Sequence, residues 1–301
     1  MQTISTTQRI VVIAGPTASG KSALALTLAK RLNGEIVCAD SRQVYAGMAV
    51  GTAAPTKQQR HCITHHGYTV RDPAKRYHVA QFVQDTDQFI QTILQRQKTA
   101  ILVGGTGLYL RSWRFGIDPA PAADIQLRQQ LQLQLQQQGA AALYEQLRRI
   151  DPDTASRIEP QDHVRLLRAL EIYQLTGKPP SHIRPNWQQR PPRMQADWLL
   201  LWPAQEHLAE KIVKRAHQLF QAELIEEACR LRQQLSHGHA LLQTMGYQEA
   251  LLYHDGELSR QRALERVIVR HRQYAKRQKT WFRKEEWWRV IDSFPRSKKF
   301  F

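Results

Sequence analysis

Long apolar runs are missing from this chain of 301 residues. Nowhere do about eighteen apolar residues follow one another, and no charged-then-apolar leader opens the sequence, so the expectation is a soluble, unexported, cytoplasmic protein that takes no membrane as partner. Cysteine is scarce too. Cys38, Cys62 and Cys229 are odd in number, far apart and without a Cys-x-x-Cys pair, which excludes a disulfide framework and fits a reducing compartment. His61, Cys62, His65 and His66 cluster, but adjacent loop histidines seldom complete a tetrahedral zinc site, and none is expected. Acids are outnumbered, 26 Asp and Glu against 43 Lys and Arg, for a net charge of +17. Residues 257–301 alone carry fourteen basic side chains against five acids. Tyr274, Trp281, Phe282, Trp287 and Trp288 are interleaved among them, so a polyanion is a better reading than a merely solvated face.

What is present begins with GPTASGKS, residues 15–22, a match to the pattern G-x-x-x-x-G-K-[ST]. Its surroundings suit it: a β-branched run, residues 9–14, reads as a buried strand, and residues 22–32 read as a helix packed on a sheet. Gly15 and Gly20 permit the turn. Pro16, Thr17, Ala18 and Ser19 complete a loop whose amides are expected to face a phosphate. Lys21 reaches its oxygens, and the Ser22 hydroxyl can ligate Mg²⁺.

Strand and helix signals alternate to about residue 115. Strands are expected at 35–38, 68–70 and 99–103, with a helix over 79–96. Near 118 the composition changes to a glutamine-rich stretch, QLRQQLQLQLQQQ. Its Leu–Gln alternation has a strand's period, yet Leu127, Leu131 and Leu135 recur every four, Asp124 can cap the start and Gly139 can close the end, which favours a helix. A second helix is expected over 162–175, a proline-rich irregular return over 177–193 and a strand at 197–202, with only helices after it. The expected fold class is α/β, a P-loop NTPase-like parallel sheet flanked by helices. Residues 1–117 form the first part of the core and 118–195 an all-helical insertion; 196–301 return to the core with basic C-terminal helices.

A P-loop phosphotransferase usually has a second acid at the end of a neighbouring strand. Here that strand, ILVGG, ends in glycines, and the strand-end acid is Asp40, which should share the crevice beyond the strand ends with the phosphate loop. Taken in order, GPTASGKS, DSRQVYAGM (40–48), GTAAP (51–55), VGGTGLYLR (103–111), RLLRALE (165–171), MGYQE (245–249) and RQYAKRQKTWFR (272–283) resemble the tRNA dimethylallyltransferase family over residues 9–284.

That resemblance implies transfer of a dimethylallyl group from dimethylallyl diphosphate to the exocyclic amine of the adenosine 3′ of the anticodon, with Mg²⁺ as cofactor. The loop then holds a departing diphosphate, Lys21 assists it, Asp40 is the base and Thr106 stands near the reacting centre. Asp40, Ser41, Arg42, Gln43 and Thr106 would receive the target base, Gln43 reading its edge. Arg128, the segment Val164, Arg165, Leu166, Leu167 and Arg168, and the segment Gln243, Thr244, Met245, Gly246, Tyr247 and Gln248 would contact tRNA, with the chain acting as a monomer and the insertion facing the RNA. Three positions depart from the family pattern: Ala54, Thr69 and Gln248. A small-molecule P-loop kinase, an isopentenyltransferase of free adenine nucleotides and a non-enzymatic RNA-binding protein are the rival readings. The large insertion and basic tail argue against a mononucleotide acceptor.

Overall fold

The computed structural model describes residues 9–183 and 190–292. Two compact units divide the chain, an α/β unit of Met1–Arg114 with Arg193–Phe301 and a helical unit of Phe115–Pro192. The α/β unit begins with β1 (Ile10–Ala14), α1 (Lys21–Arg31), β2 (Gly34–Cys38), α2 (Ala49–Thr52), α3 (Lys57–Cys62), β3 (His65–His66), α4 (Val79–Gln95), β4 (Thr99–Gly104) and α5 (Gly107–Phe115). The helical unit holds α6 (Ile125–Ile150), α7 (Pro152–Ala155), α8 (His163–Thr176) and α9 (Pro180–Ile183). The chain then supplies β5 (Asp197–Leu201), α10 (Gln205–Leu219), α11 (Ala222–Gln234), α12 (Tyr247–His254), α13 (Arg260–Phe282) and β6 (Arg289–Ile291).

Among the described residues the sheet has six parallel strands in the order β3-β2-β4-β1-β5-β6. Its central strands are mostly apolar because both faces are covered, Glu35 and Thr99 being the buried polar exceptions. Val11, Ile13, Ile36, Ile101 and Val103 join one core with α1 and α11, while Val12, Ala14, Val37, Ala100 and Leu102 join a second with α4 and α5. Two expectations need correcting. The edge strand is His65–His66, paired with Ile36 and Val37, and not residues 68–70. Those residues are bound instead to the turn after β2, with the Thr69 and Val70 amides donating to the Gln43 and Val44 carbonyls. The C-terminal part is not wholly helical either, since Arg289–Ile291 pairs with β5 and buries Trp288 and Ile291. Part of the proline-rich return, residues 184–189, lies outside the described residues.

The helical unit has its own core. Leu131, Leu143 and Leu147 of α6 pack on Leu166, Ala169 and Leu170 of α8, so the four-residue leucine spacing prevails over the Leu–Gln alternation. Asp124 caps α6, its Oδ1 accepting from the Leu127 amide at 2.8 Å. Gly139 (φ 80°, ψ 164°) is non-helical and closes the first of two helical segments that α6 joins across a kink, as expected. The fully buried Glu171 carboxylate ties the unit together. Arg128 donates to both of its oxygens at 3.0 Å, Arg168 donates at 2.6 Å and the Asp124 amide at 2.9 Å. Burial raises the Glu171 pKa, but these hydrogen bonds outweigh it and hold the carboxyl below its usual range. A depressed carboxyl pKa stabilises the fold above the unfolded value of about 4.3 and ceases to do so as pH falls through the folded value. Glu171→Gln is therefore expected to destabilise the helical unit by about 2–3 kcal/mol at neutral pH in denaturant unfolding, the partly exposed arginines moderating the loss. That difference should shrink as the pH is lowered below about 4.

Candidate active site

Strands β2, β4 and β1 are neighbours in the sheet, so the loops leaving their carboxyl ends converge. These loops carry Asp40, Thr106 and residues 15–22. The two glycines of ILVGG have a steric explanation. A Cβ at Gly104 would stand 1.9 Å from the Ala39 carbonyl oxygen, so only glycine lets β4 end this close to the Asp40 turn. Across that contact the Ser41 amide donates to Thr106 Oγ1 at 3.2 Å. Asp40 Oδ1 accepts from the Arg42 and Gln43 amides at 2.8 and 3.2 Å, which fixes the carboxylate. Its Oδ2 has no hydrogen-bond partner among the described residues. Tyr274 of α13 approaches the Thr106 hydroxyl, and burial, reinforced by the Asp40 charge, keeps its phenol protonated far above the usual range.

The phosphate loop is a concave nest. Ala18 (φ 62°) and Gly20 (φ 100°) are left-handed, and Gly15 lies at φ 148°. The expectation that the amides from 17 onward all face an anion is too generous. The Thr17 amide donates to Gln278 Oε1 at 2.7 Å and the Ser19 amide to the Pro16 carbonyl at 3.2 Å. Lys21 Nζ folds back onto the Pro16 carbonyl at 2.7 Å. Burial pushes its pKa down to about 7, the Arg215 guanidinium adds to the fall, and Asp40 opposes it.

Arg215 is a candidate functional residue that sequence reasoning missed. It donates to the Thr52 carbonyl at 3.2 Å, while its Nε is buried without a partner among the described residues. Ser19 Oγ is a second buried group in the same condition. The available signal was positional: Arg215 lies on the face of α10 that buries Leu208 and Ile212, where a cation has no business unless something anionic meets it. Arg215 and the exposed Ser22 border a cavity of about 270 Å³ whose other walls include Ala25, Leu26, Ile36 and Val103. The Lys21 and Arg215 cations, with Arg215 Nε and Ser19 Oγ unsatisfied among the described residues, fit a compact multivalent anion such as a diphosphate. Among the described residues no group of three or more His, Cys, Asp or Glu could hold a metal ion. A hard cation here would have Ser22 as protein ligand and would draw its other oxygens from the anion and water, a donor set that suits Mg²⁺.

The remaining predicted residues are distributed unevenly. Gln43 has its Nε2 committed to the Thr52 and Ala53 carbonyls at 2.9 and 3.0 Å, which leaves Oε1 as the atom with which it could meet a base edge. Leu166 is core, Leu167 packs against it, and Arg128 and Arg168 are held by Glu171, which leaves Val164 and Arg165 as the exposed side chains of their segment. Tyr247 is also buried, donating to Glu227 Oε1 at 2.6 Å. Glu227 in turn accepts the Val50 and Gly51 amides, so Tyr247 is part of the scaffold and not of an RNA surface. Gly246 gives its amide to Glu249, while Arg270 staples the segment through Gln248, Glu249 and the Gln243 carbonyl. Gln243 is exposed; Thr244 and Met245 are half-buried. His65 and His66 are engaged by the Ile63 carbonyl and Glu35. On α13 the exposed face presents Arg272, Lys276 and Arg277, with Arg283 just beyond, while Lys279 lies over the Trp202 ring.

Family models agree with this geometry. The model for IPP transferase matches residues 43–285, and that for isopentenyl transferase matches residues 8–70. The chain is 42% identical over 277 residues to a tRNA dimethylallyltransferase of Anaeromyxobacter dehalogenans (strain 2CP-C), covering 92% of each chain. It is 40% identical over 280 residues to one from Halorhodospira halophila (strain DSM 244 / SL1), covering 92% of this chain and 90% of that one. Among solved structures, a tRNA isopentenylpyrophosphate transferase of Bacillus halodurans superposes with TM-score 0.67 at 34% identity, over 95% of this chain and 90% of the other. A eukaryotic dimethylallyltransferase acting on tRNA gives TM-score 0.77 at 29% identity, over 94% and 74% of the two chains.

The depressed Lys21 pKa has a measurable consequence. At pH 8, above the value of about 7, the unliganded lysine is mostly neutral, and a bound polyanion favours its charged form. Binding of inorganic diphosphate at pH 8 is expected to take up close to one proton more in the wild type than in Lys21→Met, the diphosphate's own proton change being common to both, read by calorimetry in buffers of different ionisation enthalpy.

Proposed function

The chain belongs to the IPP transferase family, and we propose from that premise that it transfers a dimethylallyl group from dimethylallyl diphosphate to the exocyclic amine of the adenosine 3′ of the anticodon in tRNA. It is a tRNA-modifying prenyltransferase, and the rival kinase and RNA-binding readings leave the 40% identity to tRNA dimethylallyltransferases unexplained. The observation that carries the reading is the charge pattern beyond the strand ends: Lys21 and Arg215 feel one another and a single carboxylate, Asp40.

Each group has work to do. The allylic C1–O bond breaks with its electron pair leaving on the diphosphate, and the adenine amine forms the new N–C1 bond. Lys21 exchanges the Pro16 carbonyl for a diphosphate oxygen, and Arg215 Nε and Ser19 Oγ find the partners they lack. These donors are preorganised for charge that grows as the bond breaks, which is where stabilisation accelerates the step. The adenine amine is a weak nucleophile because its lone pair is conjugated, and Asp40 Oδ2 accepts its proton while Oδ1 stays on the two amides. Thr106, held between the Ser41 amide and Tyr274, orients the amine or the bridging oxygen. Mg²⁺, held by Ser22 and the diphosphate, would add charge neutralisation to the leaving group. The apolar walls of the neighbouring cavity offer room for a five-carbon tail.

Such an amine is reached only when the base leaves its stack, so the RNA must be gripped while one nucleotide is extruded. Arg272, Lys276, Arg277 and Arg283 supply phosphate contacts on the α/β unit, and the exposed Arg165 does so on the helical unit. Asp40→Asn keeps the Oδ1 acceptor and removes the base. Turnover is expected to fall by about 10²–10⁴-fold with tRNA affinity nearly unchanged, measured by single-turnover kinetics and filter binding. Loss of tRNA binding in step with turnover would refute the role given to Asp40.

A further inference from the structure

Gln278 lies in the buried seam of α13, where an apolar residue would be the ordinary choice. Its carboxamide is used at both ends. Oε1 accepts the Thr17 amide of the phosphate loop at 2.7 Å, and Nε2 donates to the Gly105 carbonyl at 2.9 Å. One planar group thereby joins the loop after β1 to the loop after β4, whose next residue is Thr106. Acceptor and donor on a single neutral head at this reach are a property of glutamine; methionine would fill the space and supply neither.

Two further observations bear on the same contact. A Cβ at Gly105 would stand 2.3 Å from Gln278 Nε2 and 3.3 Å from the Gly15 carbonyl oxygen, so a larger residue there would displace the carboxamide from its present place. Ala18, next to Thr17, is held at φ 62°, a left-handed conformation that is unfavourable for alanine and persists only when neighbouring contacts impose it. The Thr17–Gln278 hydrogen bond adjoins that residue, and Ala18 itself packs against Leu208, Ile212 and Ala275.

We propose that Gln278 is a positioning residue for the transfer, holding the phosphate loop and the Thr106 loop at the separation the reaction needs. It touches neither the leaving group nor the amine; it acts through the Thr17 amide and the Gly105 carbonyl. The inference rests on the site reading given under the proposed function, but its binding arm does not depend on that reaction.

The test compares the wild type with Gln278→Met, Gly105→Ala and the double variant. For both single variants the Kd of inorganic diphosphate and the KM of dimethylallyl diphosphate should rise about tenfold or more, with kcat falling and the KM for tRNA within about twofold of wild type. Because both substitutions break one tether, the double variant should be no worse than the poorer single one, where independent defects would multiply. Gly105→Ala leaves the glutamine in place and so serves if Gln278→Met folds poorly. Unchanged diphosphate affinity in the single variants, multiplicative losses in the double, or equal rises in both KM values would overturn the proposal. A wild type that binds diphosphate yet transfers no prenyl group would instead overturn the proposed function.

Discussion

The constraint on which the site depends is the burial of two basic groups, Lys21 and Arg215, near enough to interact with each other and with one carboxylate, Asp40. Cations taken out of water and set near each other are unfavourable, and the falling lysine pKa is the expression of that cost. The cost is only partly offset: Lys21 borrows the Pro16 carbonyl, Arg215 borrows the Thr52 carbonyl, and Arg215 Nε and Ser19 Oγ have no partner among the described residues. In the proposed reaction a diphosphate would relieve all of these at once. Binding energy is thus stored in the charge arrangement and becomes largest as the leaving group acquires negative charge.

The fold brings these groups together by topology. In a parallel sheet every strand's carboxyl end lies on the same edge, and β2, β4 and β1 are consecutive there. Asp40, Thr106 and the phosphate loop lie some ninety residues apart at the extremes of the sequence range they span, yet each needs only to follow its own strand. Glycine at 104 lets the neighbouring loops touch, and α13 covers them with Tyr274 and Gln278 while its opposite face stays basic.

Much of this was legible in the sequence for physical reasons. The phosphate loop is a local motif, and the strands that precede Asp40 and Thr106 are short buried runs whose ends locate both residues. The leucine spacing and the Asp124 cap were enough to read α6 as a helix. What escaped was what depends on partners distant in the chain. Arg215 reaches the site from α10, Gln43 turns inward because the Thr52 and Ala53 carbonyls need donors, and Arg128 and Arg168 share the buried Glu171. An arginine in a helical segment looks the same whether it faces phosphate or a buried acid. The short edge strands β3 and β6 were missed because two or three residues carry too little periodicity to be seen.

A crystal structure with an unreactive thio analogue of dimethylallyl diphosphate tests the central claim most directly. The account predicts the diphosphate in the nest of residues 15–22, with Lys21 Nζ moved off the Pro16 carbonyl and both it and Arg215 within about 3 Å of phosphate oxygens. Asp40 Oδ2 should face the carbon end of the ligand. A diphosphate lodged elsewhere, or bound in the nest with Lys21 still on Pro16 and Arg215 turned away, would contradict it.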